Sequence, residues 1–155
     1  MEFSDPRRSR REVEALPEDE YFWALMEPAW GDAAGGTPGQ RLLAVTTYFV
    51  RDVENGGHHQ AIGNRDADEL AEVVAAFERL GAAGHAEIVR HASELLLGRN
   101  PPHDFDLRRA LLDRHDGEWI DDHIGPLDER MYDETKLHPN FRAYIAAHPD
   151  EFFRD

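Results

Sequence analysis

Cysteine is absent from this chain. That excludes disulfides, thiolate metal sites and a cysteine nucleophile together, and it fits a cytoplasmic protein. Long apolar runs are missing too. None approaches the roughly 18 residues a membrane helix needs, so the chain reads as soluble. The early basic residues Arg7, Arg8, Arg10 and Arg11 have no apolar stretch behind them, so no secretory signal is expected. Lysine is scarce, one of 17 basic residues, a bias without mechanistic content. Positive charge as a whole is outnumbered: 32 Asp and Glu stand against 17 Lys and Arg, a formal net charge of −15 over 155 residues. A field of that sign repels nucleic acid and attracts basic partners, most effectively at low salt. It also serves solubility with no partner at all. Direct contact with nucleic acid or a membrane is not expected.

What remains is enough to fold. Hydrophobic residues make up 41% and aromatics 10%, consistent with one domain around one core. Residues 1–16 are polar and without an apolar stripe, and read as a flexible basic arm ahead of an acidic domain over 17–155. Pro17, followed by Glu18, Asp19 and Glu20, predicts a helix start, with Tyr21, Phe22, Leu25 and Met26 inward. A loop of small residues covers Gly31 to Gly39. Thr37, Pro38 and Gln40 have capping-box spacing, and Leu42, Val45, Thr46, Phe49 and Val53 continue with helical period. Val45 to Val50 is rich in β-formers, but the longer stripe argues for helix. Asn55-Gly56-Gly57 breaks it, since Asn and Gly enter the left-handed region cheaply.

Asp66 and Glu69 predict the next cap, with Leu70, Val73, Val74, Phe77 and Leu80 as its stripe and Gly81 as its stop. Gly84 to Leu97 follows, with Ile88, Ala92, Leu95 and Leu96 inward and Gly98 closing it. Shorter helices are predicted over Asp106–Arg114, with Leu107, Ala110 and Leu111 inward, over Pro126 to about Tyr132, and over Pro139–His148. In the last, Phe141, Tyr144 and Ile145 share a face, and Phe152 and Phe153 tuck back. The expectation is an all-α, single compact domain of six or seven helices.

The stretch from Tyr48 through Asn55-Gly56-Gly57 to Gln60 and Asn64 resembles a bacterial family typified by DNA mimic protein nineteen. Leu80-Gly81, Leu127-Asp128-Glu129-Arg130-Met131-Tyr132 and Tyr144-Ile145-Ala146-Ala147-His148-Pro149-Asp150-Glu151-Phe152 extend the likeness over most of the chain. It departs from the pattern at His58, where the family has Phe, and at Ala61-Ile62, where the family has paired aromatics. The resemblance implies an all-α, DNA-mimic-protein-like domain. For the typifying member it implies an acidic surface that occupies a transcription regulator's DNA-binding face. It also implies a possible homodimer.

Asn55, Gly56, Gly57, Gln60 and Asn64 have two readings: a helix stop whose turn is satisfied by amides, or a polar groove. No Lys-Ser/Thr follows the glycines, so they do not form a phosphate loop. The acidic stretch Asp113–Glu134 holds nine acids against Arg114 and Arg130. Its candidate partner-binding residues are Asp113, Asp116, Glu118, Asp121, Asp122, Asp128 and Glu129, with Trp119 as an aromatic anchor. Acids three or four apart on a helix stand about 5–6 Å apart and can approximate a row of phosphates. The bland alternative is a solvated acidic face.

His58-His59, His85 with His91, and His115 with His123 all miss the i, i+4 spacing of a helical zinc pair. No metal or cofactor is expected. Ser93 sits mid-helix without a nucleophile-elbow pattern. The expected function is therefore non-enzymatic: a protein-binding module, reading as a DNA mimic that covers the basic face of a regulator. Two alternatives stay open. One is an immunity-type inhibitor of a nuclease toxin. The other is a small metal-dependent hydrolase using His58, His59 or the Asp121-Asp122-His123 cluster.

Overall fold

A computed structural model describes residues 4–31 and 35–155. Residues 1–3 of the expected arm and 32–34 of the expected loop lie outside it. Among the described residues the regular structure is helical throughout, nine α-helices and three 3-10 turns with no strand beyond one isolated bridge. The chain divides into two units, Met1–Val45 with Leu137–Asp155, and Thr46–Lys136.

The first unit holds α1 (Arg10–Glu14), α2 (Glu18–Met26), the start of α3 (Pro38–Gly63) and α9 (His138–Ala147). Pro17 stands at the N-cap of α2 and three acids fill its first turn. Phe22, Leu25 and Met26 are buried, and Phe22 meets Phe141 of α9 edge-on at 5.6 Å. The predicted capping box of α3 is formed: Gln40 N–H donates to Thr37 Oγ1 at 3.3 Å, and Thr37 N–H donates to Gln40 Oε1 at 3.0 Å. At Gly39 a side chain has no room, because an added Cβ would lie 2.7 Å from Phe152 Cζ. Phe141, Tyr144, Ile145, Phe152 and Phe153 are buried as predicted.

Residues 4–16 differ from the arm expected of them. Val13 of α1 is buried. Arg8 N–H donates to the Phe152 carbonyl at 2.8 Å, Arg154 N–H donates to the Arg8 carbonyl at 3.1 Å, and Arg10 N–H reaches Asp155 at 2.7 Å. These partners stand at the other end of the chain, where no local pattern announces them.

The second unit contains the rest of α3, then α4 (Ala67–Arg79), α5 (Ala83–Leu97), α6 (Phe105–Asp113), α7 (Gly117–His123) and α8 (Gly125–Met131). Phe49, Phe77, Ile62, Leu96, Leu112, Ile124 and Met131 are its largest fully buried side chains. Val45–Val50 is helical despite its β-rich composition. Asp66 and Glu69 make the predicted capping box, and Gly81 and Gly98 take positive φ where α4 and α5 stop.

Two more helices are present than the upper prediction. One is α1. The other is α7, which buries no residue and so offers no stripe to read. The face of α6 also needs correction. Leu107 is 59% exposed and Ala110 is exposed, while Arg108 and Leu112 are buried. The helix is turned by Arg108, whose guanidinium donates to the Arg65 carbonyl at 3.0 Å.

Candidate functional site

The double glycine makes a kink rather than an end. Helical geometry lapses at Gly56 (φ −150°) and Gly57 (φ +74°), and α3 resumes at His58. An L-residue is strained at Gly57, and an added Cβ would lie 2.6 Å from Asp128 Oδ2. At Gly56 it would run into the Gln60 side chain. The restarting turn needs a cap, and α8 supplies it. His58 N–H donates to Asp128 Oδ1 at 2.8 Å, and His58 Nδ1 lies 2.6 Å from the same oxygen. His58 is wholly buried beside Phe49, and its Nε2 has no hydrogen-bond partner.

The amides of the motif tie the two halves of α3 together through Asp52. Gln60 Nε2 donates to it at 2.9 Å, Asn64 Nδ2 at 3.3 Å and Arg65 at 2.7 Å. Burial pushes the Asp52 carboxyl up, but the hydrogen bonds of Gln60, Arg65 and Asn64 outweigh it and hold the group below its ordinary value. Arg65 also donates to the Ala61 carbonyl at 2.6 Å and lies over the Phe49 ring at 4.9 Å. Asn55 is exposed just before the kink, while Ala61 and Ile62 are wholly buried. Asp52 and Arg65 were not singled out from the sequence. Their signal is the recurrence of Gln, Asn and Arg 8, 12 and 13 residues after a mid-helix Asp.

The acidic stretch separates into distinct roles. Asp128 is buried against His58, which removes it from the candidate partner-binding surface. Asp116 caps α7 by accepting from Trp119 N–H at 2.8 Å. Asp113 pairs with Arg109 at 3.1 Å, and Glu134 pairs with Arg51 at 2.8 Å. Glu118, Asp121, Asp122 and Glu129 are exposed, and among the described residues no base pairs with them. The first three share one side of α7, since Asp121 and Asp122 stand three and four residues after Glu118. Trp119 is half-buried and stacked between His115 at 3.8 Å and His123 at 4.7 Å.

Two further histidines have defined surroundings. His59 Nε2 lies 3.0 Å from the Leu112 carbonyl. His85 stacks on Phe77 at 5.3 Å, and burial, then the Lys136 charge, hold it below the usual imidazole value. Among the described residues no three His, Asp or Glu side chains converge as a metal site, and no helix is long and apolar enough to cross a membrane.

Residues 34–148 match the family described as DMP19-like protein, over a span that takes in the kink, Asp128 and all of α7. The chain belongs to the DMP19-like family. No curated protein and no solved structure matches it significantly. Within the matched span, Gly56 and Gly57 bend α3, and His58 joins it to α8 through Asp128.

Proposed function

We propose that this DMP19-like chain is a non-enzymatic binder of a basic protein, acting as a DNA mimic on the DNA-binding face of a regulator. The carrying observation is the face of α7. Glu118, Asp121 and Asp122 stand on one side of it without basic partners, next in sequence to the half-buried Trp119, in a unit with 20 acids and 10 bases. Elsewhere in that unit arginines are engaged: Arg51 with Glu134, Arg65 with Asp52, Arg90 with Glu78 and Glu87, and Arg99 with Glu94. A surface that reads phosphates through Arg and Lys can accept carboxylates at similar spacing. Trp119, braced on both faces by imidazoles, adds an aromatic contact whose geometry is set in advance.

The test is capture from native lysate at low salt, with elution by a salt gradient and separately by duplex DNA. A DNA-binding protein released by both supports the reading. In the purified pair, Asp121→Lys with Asp122→Lys should weaken binding at least about tenfold, roughly 1.4 kcal/mol. A partner that resists salt, ignores DNA and tolerates that double reversal would overturn it. A nuclease silenced at equal stoichiometry would replace the regulator with a toxin as the basic target.

A further inference from the structure

In α6 hydrophobicity and burial run opposite ways. Its buried residues are Arg108 and Leu112. Arg108 is held inside by the Arg65 carbonyl at 3.0 Å, the Pro102 carbonyl at 3.4 Å and the nearby charge of Asp66. With the helix turned that way, Leu107 and Ala110 are exposed and Leu111 is half-buried. These three stand at i, i+3 and i+4, so they form one apolar stripe on the outer side. Single exposed leucines are ordinary. A leucine stripe outside with an arginine inside is not. The same helix carries the two most exposed large apolar side chains among the described residues, Phe105 at 71% and Leu107 at 59%.

The charge around the stripe selects what can cover it. Asp106 and Asp113 stand four residues before and three after Ala110, along one edge of the stripe. Asp113 pairs with Arg109, and no base pairs with Asp106 among the described residues. Arg114, at the far end, donates to His115 at 3.2 Å. Gly117, where α7 starts, is four residues beyond Asp113 and so within about 15 Å of it, and the unpaired Glu118, Asp121 and Asp122 follow. From Asp104 to Asp122 seven acids stand against three bases. A second copy of this chain, with its net charge of −15, would bring like charge onto this surface, and nucleic acid or an anionic membrane is repelled in the same way. A segment apolar on one side and basic on its flanks meets both features, and an amphipathic helix offers that pattern with i, i+3, i+4 anchors. We propose, resting on the reading of this chain as a binder of a basic protein, that the outer face of α6 docks a cationic amphipathic helix of that partner. Its apolar stripe lies on Leu107, Ala110 and Leu111, and its basic residues meet Asp106 and the acids of α7. A helix of about 12 residues is about 18 Å long and spans that distance.

The experiment is fluorescence anisotropy of the full chain with two labelled peptides of about 14 residues, long enough to form a helix on the protein. One is a leucine–lysine sequence with helical amphipathic period, and the other is a scrambled isomer of the same composition. The amphipathic peptide should bind at least about tenfold more tightly, as burial of one leucine requires. Leu107→Glu should erase that preference. It places Glu three residues after the Asp104 cap, a position that suits a helix start, so the fold is kept. It also adds an acid, so attraction by charge alone predicts tighter binding of both peptides. Leu107→Met should retain the preference. Asp121→Lys with Asp122→Lys should weaken both peptides together. If it does not, while Leu107→Glu still erases the preference, the docking face stands and the electrostatic role of α7 fails. Equal binding of the two peptides to the wild type, or a preference that survives Leu107→Glu, overturns the docking face. Self-association that Leu107→Glu abolishes, without a preference between the peptides, overturns it in favour of a second copy.

Discussion

An added Cβ at Gly57 would meet both a left-handed backbone and the carboxylate that caps the next turn. Gly57→Ala should therefore cost more than the about 1–2 kcal/mol of the left-handed conformation alone, because Asp128 must also move from His58. Urea unfolding measures it, and a loss below about 0.5 kcal/mol would mean that the kink relaxes freely. Asp52 carries the complementary prediction. Its folded pKa lies below its ordinary value, so the folded protein binds fewer protons there than the unfolded chain. The resulting stabilisation is complete above about pH 4 and is lost as pH falls through the folded value. Asp52→Asn removes that titration while keeping an acceptor for Gln60. Between about pH 6 and pH 3 the wild type should lose more stability than the variant. Parallel losses would show that Asp52 does not drive acid unfolding.

At the scale of elements, α6 and α7 set the useful contrasts. Leu107 faces solvent and Leu112 the core, four residues apart in number from Arg108 for the second and adjacent to it for the first. Leu107→Ser should change stability by no more than about 0.5 kcal/mol, and Leu112→Ala should cost about 2–5 kcal/mol. Chemical denaturation of both variants distinguishes this orientation from the one that the leucine spacing predicts. The difference also shows what local sequence can convey. Helix boundaries were legible at Thr37 with Gln40, Asp66 with Glu69, Gly81 and Gly98, because caps and stops are chemistry between near neighbours. The face of α6 was not, because Arg108 spends its donors on a carbonyl 43 positions away. Asp128 looked like one more surface acid because the residue that buries it, His58, stands 70 positions earlier. α1 and α7 carry one buried residue or none, so the periodicity that reveals helices has nothing to register.

For the whole molecule the decisive quantity is where its charge comes from. Thr46–Lys136 has 20 acids and 10 bases, and the remaining residues have 12 and 7. Duplex DNA concentrates one charge per about 1.7 Å of axis and holds a condensed counterion atmosphere, whose release supplies much of the affinity of its ligands. Carboxylates scattered over helices, many already paired with arginine, hold no such atmosphere. A mimic of this composition should therefore lose affinity as salt rises, yet less steeply than DNA does on the same partner. Between about 50 and 200 mM salt, DNA bound through six to ten phosphates loses roughly 10³–10⁵ in affinity. The ratio of mimic to DNA affinity should accordingly rise across that interval. Competition anisotropy with labelled DNA at both salt concentrations measures the ratio directly. Asp121→Lys with Asp122→Lys should flatten the salt dependence of the mimic further while leaving that of the DNA unchanged. A ratio that stays constant or falls would mean that binding tracks a DNA-like counterion release, which this charge distribution has no means to provide.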